Sequence, residues 1–211
     1  MNPKKNLLIF DFDGVIVDTF STSYSVAQQL DGVDSLEDFR AALDGNIFDY
    51  YKKRPHIDVN LQREKWFKIY GPKVLELMPV AGMVDLLTDL ARQHVLTIVS
   101  SSSSDTISLF LEKYKFRELF EDVLGSNDHH SKVHKMNHIM NKFSITSEGA
   151  LMITDTLGDI REAKVAGVES IAVSWGYHER ERLLKGNPAA LVHTPQELEK
   201  AISHFFDNNG K

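Results

Sequence analysis

Leu7-Leu8-Ile9-Phe10-Asp11-Phe12-Asp13-Gly14 is a run of four apolar residues that breaks abruptly into two aspartates and a glycine. A run this short, and apolar throughout, reads as a strand buried on both faces. Alternate side chains of a strand share a face, so Asp11 and Asp13 can both reach one site as the strand ends. Gly14 permits a sharp turn there and leaves backbone amides open to an anion.

Working outward, Leu96-Thr97-Ile98-Val99, Leu151-Met152-Ile153 and Ser170-Ile171-Ala172-Val173 repeat the buried-strand pattern. Helical spacing lies between them. Met83, Leu86, Leu87 and Leu90 stand at i, i+3, i+4, i+7, as do Ile107, Phe110, Leu111 and Tyr114, with Asp105 expected to cap the second helix. A third helix carries Val133, Met136, Met140 and Phe143. A fourth is expected from Asp159 to Gly167, where glycine suits the left-handed position after a helix. Apolar strands alternating with helices predict an α/β fold, a doubly wound parallel sheet covered on both faces.

From about Asp18 to Met78 the pattern changes, with helical stretches and no strand. Asp34-Ser35-Leu36-Glu37-Asp38 looks like a helix start, and Gln62 to Tyr70 carries Trp66, Phe67, Ile69 and Tyr70. Pro55, Pro72, Pro79 and Gly82 punctuate the segment. The expected organisation is an α/β core of residues 1–17 and 82–211 with an all-helical insert, 18–81, after the first strand.

The 211 residues are 42% apolar and 26% charged, a globular composition. A net charge of -6 gives no basic field for nucleic acid or an anionic membrane, so an anionic substrate needs a local cation. Absent cysteine excludes disulfides, thiolate catalysis and cysteine-based zinc sites. Met1 to Leu8 has two lysines and a short apolar run, as a signal peptide can, but Asp11 and Asp13 interrupt it. Nothing approaches the ~18 apolar residues of a membrane span. A soluble, cytoplasmic protein is expected; oligomeric state is not readable.

In open α/β sheets, ligands bind beyond the carboxyl ends of the strands. Asp11 and Asp13 end the first strand, Ser100 the second, and Asp155 the Leu151 strand, with Asp159 following and Lys132 ahead of the third helix. Carboxylates packed together repel unless a cation holds them, and hard oxygen ligands with open positions favour Mg2+. Two such carboxylates can divide labour, one attacking phosphorus and one handling protons.

The stretch Asp11-Phe12-Asp13-Gly14-Val15-Ile16-Val17-Asp18-Thr19 resembles the first motif of the haloacid dehalogenase (HAD) superfamily of phosphohydrolases. Ser100 resembles the second motif, Lys132 the third, and Asp155-Thr156-Leu157-Gly158-Asp159 the fourth, all in the family's order. The helical insert lies where the small cap of phosphoglycolate phosphatase and β-phosphoglucomutase relatives is found. The resemblance implies a Rossmann-like core and a Mg2+-dependent hydrolase of a small phosphorylated metabolite. It makes Asp11 the nucleophile and Asp13 the acid and base. Magnesium would be held by Asp11, the Asp13 backbone carbonyl and Asp155, with Asp159 in support. Ser100, Ser101 and Lys132 would bind the phosphoryl oxygens. Thr154 departs from the glycine usual before the fourth motif, and Lys135 competes with Lys132 as the motif lysine.

Plainer roles stand beside these. Asp159 also fits a helix cap, and Asp18 and Thr19 fit turn and cap residues. His130, His134 and His138, at i, i+4, i+8, would line one helix face, more often solvated than metal-binding. The serines beyond Ser101 read as loop and cap, and Trp66, Phe67 and Tyr70 as core of the insert. Trp175-Gly176-Tyr177-His178 reads equally as packing or pocket border. Competing functions are a phosphotransferase or phosphomutase with the same nucleophile, a receiver-like signalling domain, and an inactive binding protein. A true dehalogenase is disfavoured, since that chemistry needs neither metal nor an Asp13-type proton shuttle.

Overall fold

A computed structural model describes residues 6–53 and 58–209. The four apolar runs form the centre of the sheet as β1 (Leu7–Phe10), β2 (Val95–Val99), β4 (Ala150–Thr154) and β5 (Glu169–Val173). Two further strands, β3 (Asp122–Leu124) and β6 (Ala190–Val192), sit at the edges. At three residues each they are too short to carry a periodic signal, and the sequence reading missed them. All pairings are parallel, in the order β3-β2-β1-β4-β5-β6. The direction of winding reverses between β1 and β4, which opens a crevice beyond their carboxyl ends.

Strand alternation distributes the core. Leu8 and Phe10 pack on one face with Met83 and Leu87 of α5 (Met83–Leu90), Ile107 and Phe110 of α6 (Ser104–Lys113), and Leu198 and Ile202 of α10 (Pro195–Asn209). Leu7 and Ile9 face Met136 and Ile139 of α7 (Lys132–Phe143) and Ala163 of α8 (Leu157–Val165). The short α9 (Arg180–Leu184) precedes β6. Gly167 takes φ 75 after α8, as its position predicted.

Two capping expectations are corrected. Asp105 lies inside the first turn of α6; the Ser104 amide instead donates to Asn127 Oδ1 at 2.9 Å, a partner supplied by the loop after β3. Thr156, not Asp159, caps α8, its hydroxyl accepting from the Asp159 amide at 3.3 Å. That leaves the Asp159 carboxylate free for other partners.

Between β1 and α5 the chain forms α1 (Phe20–Asp31), α2 (Leu36–Ala42), α3 (Ile47–Lys52) and α4 (Val59–Val74), with no strand among the described residues. Ser35 caps α2, accepting from the Asp38 amide at 3.1 Å. Pro72 does not end α4 but lies inside its last turn, and the helix runs on until the Leu75 amide donates to Gly71 O at 3.2 Å. Pro55 lies outside the described residues. The exit and return of the segment are tied: Val17 bridges to Pro79, and the Val80 amide donates to Ile16 O at 2.9 Å. No described helix is long and apolar enough to cross a membrane.

Candidate active site

The β1–β4 register decides which acids meet. Phe10 lies beside Ile153, so Asp11 and Asp155 emerge together at the crevice, and the Asp11 amide donates to Ile153 O at 2.9 Å. One turn into α8, Asp159 points back to the same place. Oxygen atoms of Asp11, Asp155 and Asp159, all buried, lie within 4.8 Å of one another. Lys132, 2% exposed at the first position of α7, donates to Asp11 Oδ2 and to Asp159 Oδ2, each at 2.7 Å. Thr154, the departure from the expected glycine, donates to Asp159 Oδ2 at 2.8 Å, so its hydroxyl anchors the acid.

Three buried carboxylates face one ammonium, and burial and that ammonium pull their protonation in opposite directions. Burial pushes Asp11 well above the usual carboxylate range against the pull of Lys132, and lifts Asp155 to about 8. At Asp159 burial also raises the pKa, but Lys132 outweighs it and holds the group low. Asp155 Oδ2 accepts from the Tyr177 amide at 2.7 Å, while Oδ1 is buried with no partner. A buried carboxylate oxygen left bare is costly. A surplus of buried acid, a bare oxygen and an all-oxygen donor set fit a hard divalent cation. Gly14, at φ 71, and Gly176 make room for this acid, since a Cβ at either would overlap the Asp155 side chain.

Asp13 is placed differently. Its carboxylate turns from the acidic cluster into a ring of hydroxyls. Thr19 Oγ1 donates to Oδ1 at 3.0 Å and Tyr70 OH donates to the same oxygen; Ser102 Oγ donates to Oδ2 at 2.6 Å, with Ser100 Oγ at 3.5 Å. Tyr177 OH joins Thr19 Oγ1 at 2.8 Å and Ser23 Oγ at 2.5 Å behind them. The Thr19 hydroxyl makes no cap hydrogen bond to α1 and turns to Asp13 instead, and Ser102 and Tyr70, which the sequence reading assigns to loop and core, join the candidate site. Ser102 was discoverable as the second of two alternate serines after the strand; Tyr70 had no signal, being 57 residues from its partner.

The two candidate lysines separate clearly. Lys132 bridges the acids; Lys135, a turn later, donates to Ser100 O at 2.5 Å and Gly125 O at 3.1 Å. Burial, then the charge of Lys132, lowers Lys135 to about 7. It braces the loop that carries Ser100 without entering the acidic cluster.

A cavity of about 140 Å3 joins these groups, with Ser100, Ser101 and Lys132 on its sheet side. Phe48, Tyr51, Trp66 and Phe67 from the helical segment line the opposite wall, so these aromatics are not simply interior packing. His130 precedes α7 and stacks on Phe48 with ring centroids 4.2 Å apart, while His134 stacks on His129. The expected histidine face is therefore not formed. In the 175–178 loop, Tyr177 borders the cavity, whereas His178 Nδ1 accepts from the Leu157 amide at 3.0 Å and fixes the start of α8.

Comparison with known proteins agrees with this geometry. Residues 8–173 match the family model described as haloacid dehalogenase-like hydrolase. A phosphoglycolate phosphatase of Synechococcus elongatus is 26% identical over 208 residues, covering 94% of this chain and 98% of its own. Among solved structures, a predicted phosphatase from Clostridium acetobutylicum superposes with a TM-score of 0.80 at 22% identity, covering 95% of this chain and 99% of that one. A haloacid dehalogenase-like hydrolase from Streptococcus pneumoniae gives 0.76 at 20% identity, over 96% and 99%.

Proposed function

This chain belongs to the haloacid dehalogenase-like hydrolases and is a phosphatase, and we propose that it is a magnesium-dependent phosphate-monoester hydrolase working through an aspartyl phosphate on Asp11. The observation that carries the proposal is the convergence of Asp11, Asp155 and Asp159 on a common space in which Asp155 Oδ1 has no partner. These carboxylates, with the Asp13 backbone carbonyl, would hold the ion. Magnesium would neutralise charge on the phosphoryl oxygens and keep Asp11 ionised.

The chain's own groups do the rest. The Asp11 carboxylate attacks phosphorus, the ester bond breaks, and the leaving alcohol takes its proton from Asp13. Asp13 then takes a proton from water, which attacks the aspartyl phosphate and releases inorganic phosphate. Lys132 commits two of its three donors to Asp11 and Asp159, leaving one for a phosphoryl oxygen. Ser100 and Ser101 line the cavity on that side and would complete the phosphoryl cradle. Such placement suits a transfer that needs positioning and charge neutralisation above all.

The segment 18–81 would act as a cap that excludes water and selects the alcohol. A small phosphorylated metabolite is the proposed substrate class, and 2-phosphoglycolate heads the panel because full-length relatives carry its name. Family membership removes support from the receiver-like and inactive-binder readings. Phosphate release from a monoester panel tests the proposal. Activity should vanish with EDTA, return with magnesium, and coincide with label on Asp11 when a 32P-ester is quenched in acid. Turnover undiminished by chelation, or label on another residue, would refute it.

A further inference from the structure

We propose that Tyr70 is the positioning residue for Asp13, so that proton delivery to the leaving group depends on the helical segment standing over the sheet. The inference rests on Asp13 being the acid and adds a residue that no motif contains.

Tyr70 lies near the end of α4, is 1% exposed, and packs its ring against Trp66 at 5.8 Å between centroids. An apolar ring would fill that place equally well. The hydroxyl instead reaches out of its own helix and donates to Asp13 Oδ1, the oxygen that Thr19 also holds at 3.0 Å. With Oδ1 held twice, the carboxylate torsion is fixed, and Oδ2 faces Ser102 and Ser100, the side proposed for the phosphoryl group. Thr19 and Ser102 belong to the loops after β1 and β2. Tyr70 alone of these donors comes from α4, which buries its face against α1 and α6. A general acid must present its proton within hydrogen-bond reach of the leaving oxygen, so loss of this restraint slows the step in which that proton moves.

The test separates orientation of the acid from general damage. The value of kcat/KM covers steps up to departure of the alcohol. An alkyl alkoxide leaves only with a proton, whereas p-nitrophenolate leaves without one. Tyr70→Phe should therefore lower kcat/KM about 10-fold to 100-fold for 2-phosphoglycolate or glycerol 3-phosphate, whichever turns over faster, and less than about threefold for p-nitrophenyl phosphate. Asp13→Asn should show the same contrast, larger. If Asp13→Asn lowers both esters equally, Asp13 is not the acid and the proposed mechanism falls first. If Asp13→Asn discriminates and Tyr70→Phe does not, the Tyr70 inference alone is overturned. Tyr70→Leu repeats the measurement without the hydroxyl in a different shape, and turnover of p-nitrophenyl phosphate reports that either variant is folded.

Discussion

The two walls of the cavity are built from different chemistry. The sheet wall carries formal charge: Asp11, Asp155 and Asp159 around Lys132, all buried. The wall from the helical segment carries aromatic rings and hydroxyls with the Arg63 guanidinium among them, tied to Ser126 O at 2.9 Å, and Tyr70 touches Asp13 between the walls. Asp11 and Asp155 gain their positions from β1 and β4, whose register cannot slip without moving the whole core, and Asp159 and Lys132 from the first turns of α8 and α7. Groups on the second sit on helices that join the core at Val17–Pro79, through α4 against α6, and across the cavity. On the proposed function, that difference would give the phosphoryl chemistry to the sheet and the choice of ester, together with the restraint on Asp13, to the helices.

If that division holds, substitutions on the sheet wall should act on every ester alike. Asp11→Asn should give the largest effect, a fall in kcat of about 10^4-fold or more on all esters, with a thermal midpoint equal to or above that of the parent. Midpoint preservation follows because an amide removes one of the buried acids that burial strains. Residual turnover within tenfold of the parent would break the assignment. Next in size, Asp155→Asn should raise the magnesium concentration for half-activity about 10-fold to 100-fold. An isothermal titration showing unchanged magnesium affinity would take Asp155 out of the metal site.

On the other wall the effects should be smaller and ester-dependent. Trp66→Ala should raise KM about threefold to tenfold for an ester with a bulky alcohol, with kcat within about threefold, and should change the rank order of the panel. A uniform change across the panel would blur the distinction between the walls.

The same contrast explains what could be read in advance. Leu7–Phe10 and Leu151–Ile153 are apolar at every position and announce buried strands, so Asp11 and Asp155 followed at their ends. The edge strands Asp122–Leu124 and Ala190–Val192 offered three residues each and no periodicity. Asp159 was found, but its helix-cap role belongs to Thr156, because Ser, Thr and Asp compete for that position and only packing decides. Lys132 is the choice from sequence and Lys135 its competitor; one helical turn sends the first to two carboxylates and the second to two carbonyls. Tyr70 and Ser102 were missed because a hydroxyl or an aromatic is ambiguous until the long-range pairing brings it to Asp13.

The last expected effect lies in that second lysine and is read in stability rather than turnover. Lys135 has an ordinary pKa near 10.5 unfolded and about 7 folded, chiefly through burial. Between those values the unfolded chain holds a proton that the folded one lacks, so folding becomes more favourable as pH rises through the interval, by at most about 1.4 kcal/mol per pH unit. Below pH 7 both states hold the proton, and the cost of a buried ammonium is present in full. Lys135→Met removes the titration while keeping the chain length, though it leaves Ser100 O without its donor and so shifts the baseline. Only the slope is diagnostic. In denaturant melts from pH 6 to pH 10, parent stability minus variant stability should be level up to about 7 and climb beyond it. Parallel curves would mean that the two carbonyls keep Lys135 charged throughout. The sheet wall would then hold a second buried cation rather than a neutral brace beside Lys132.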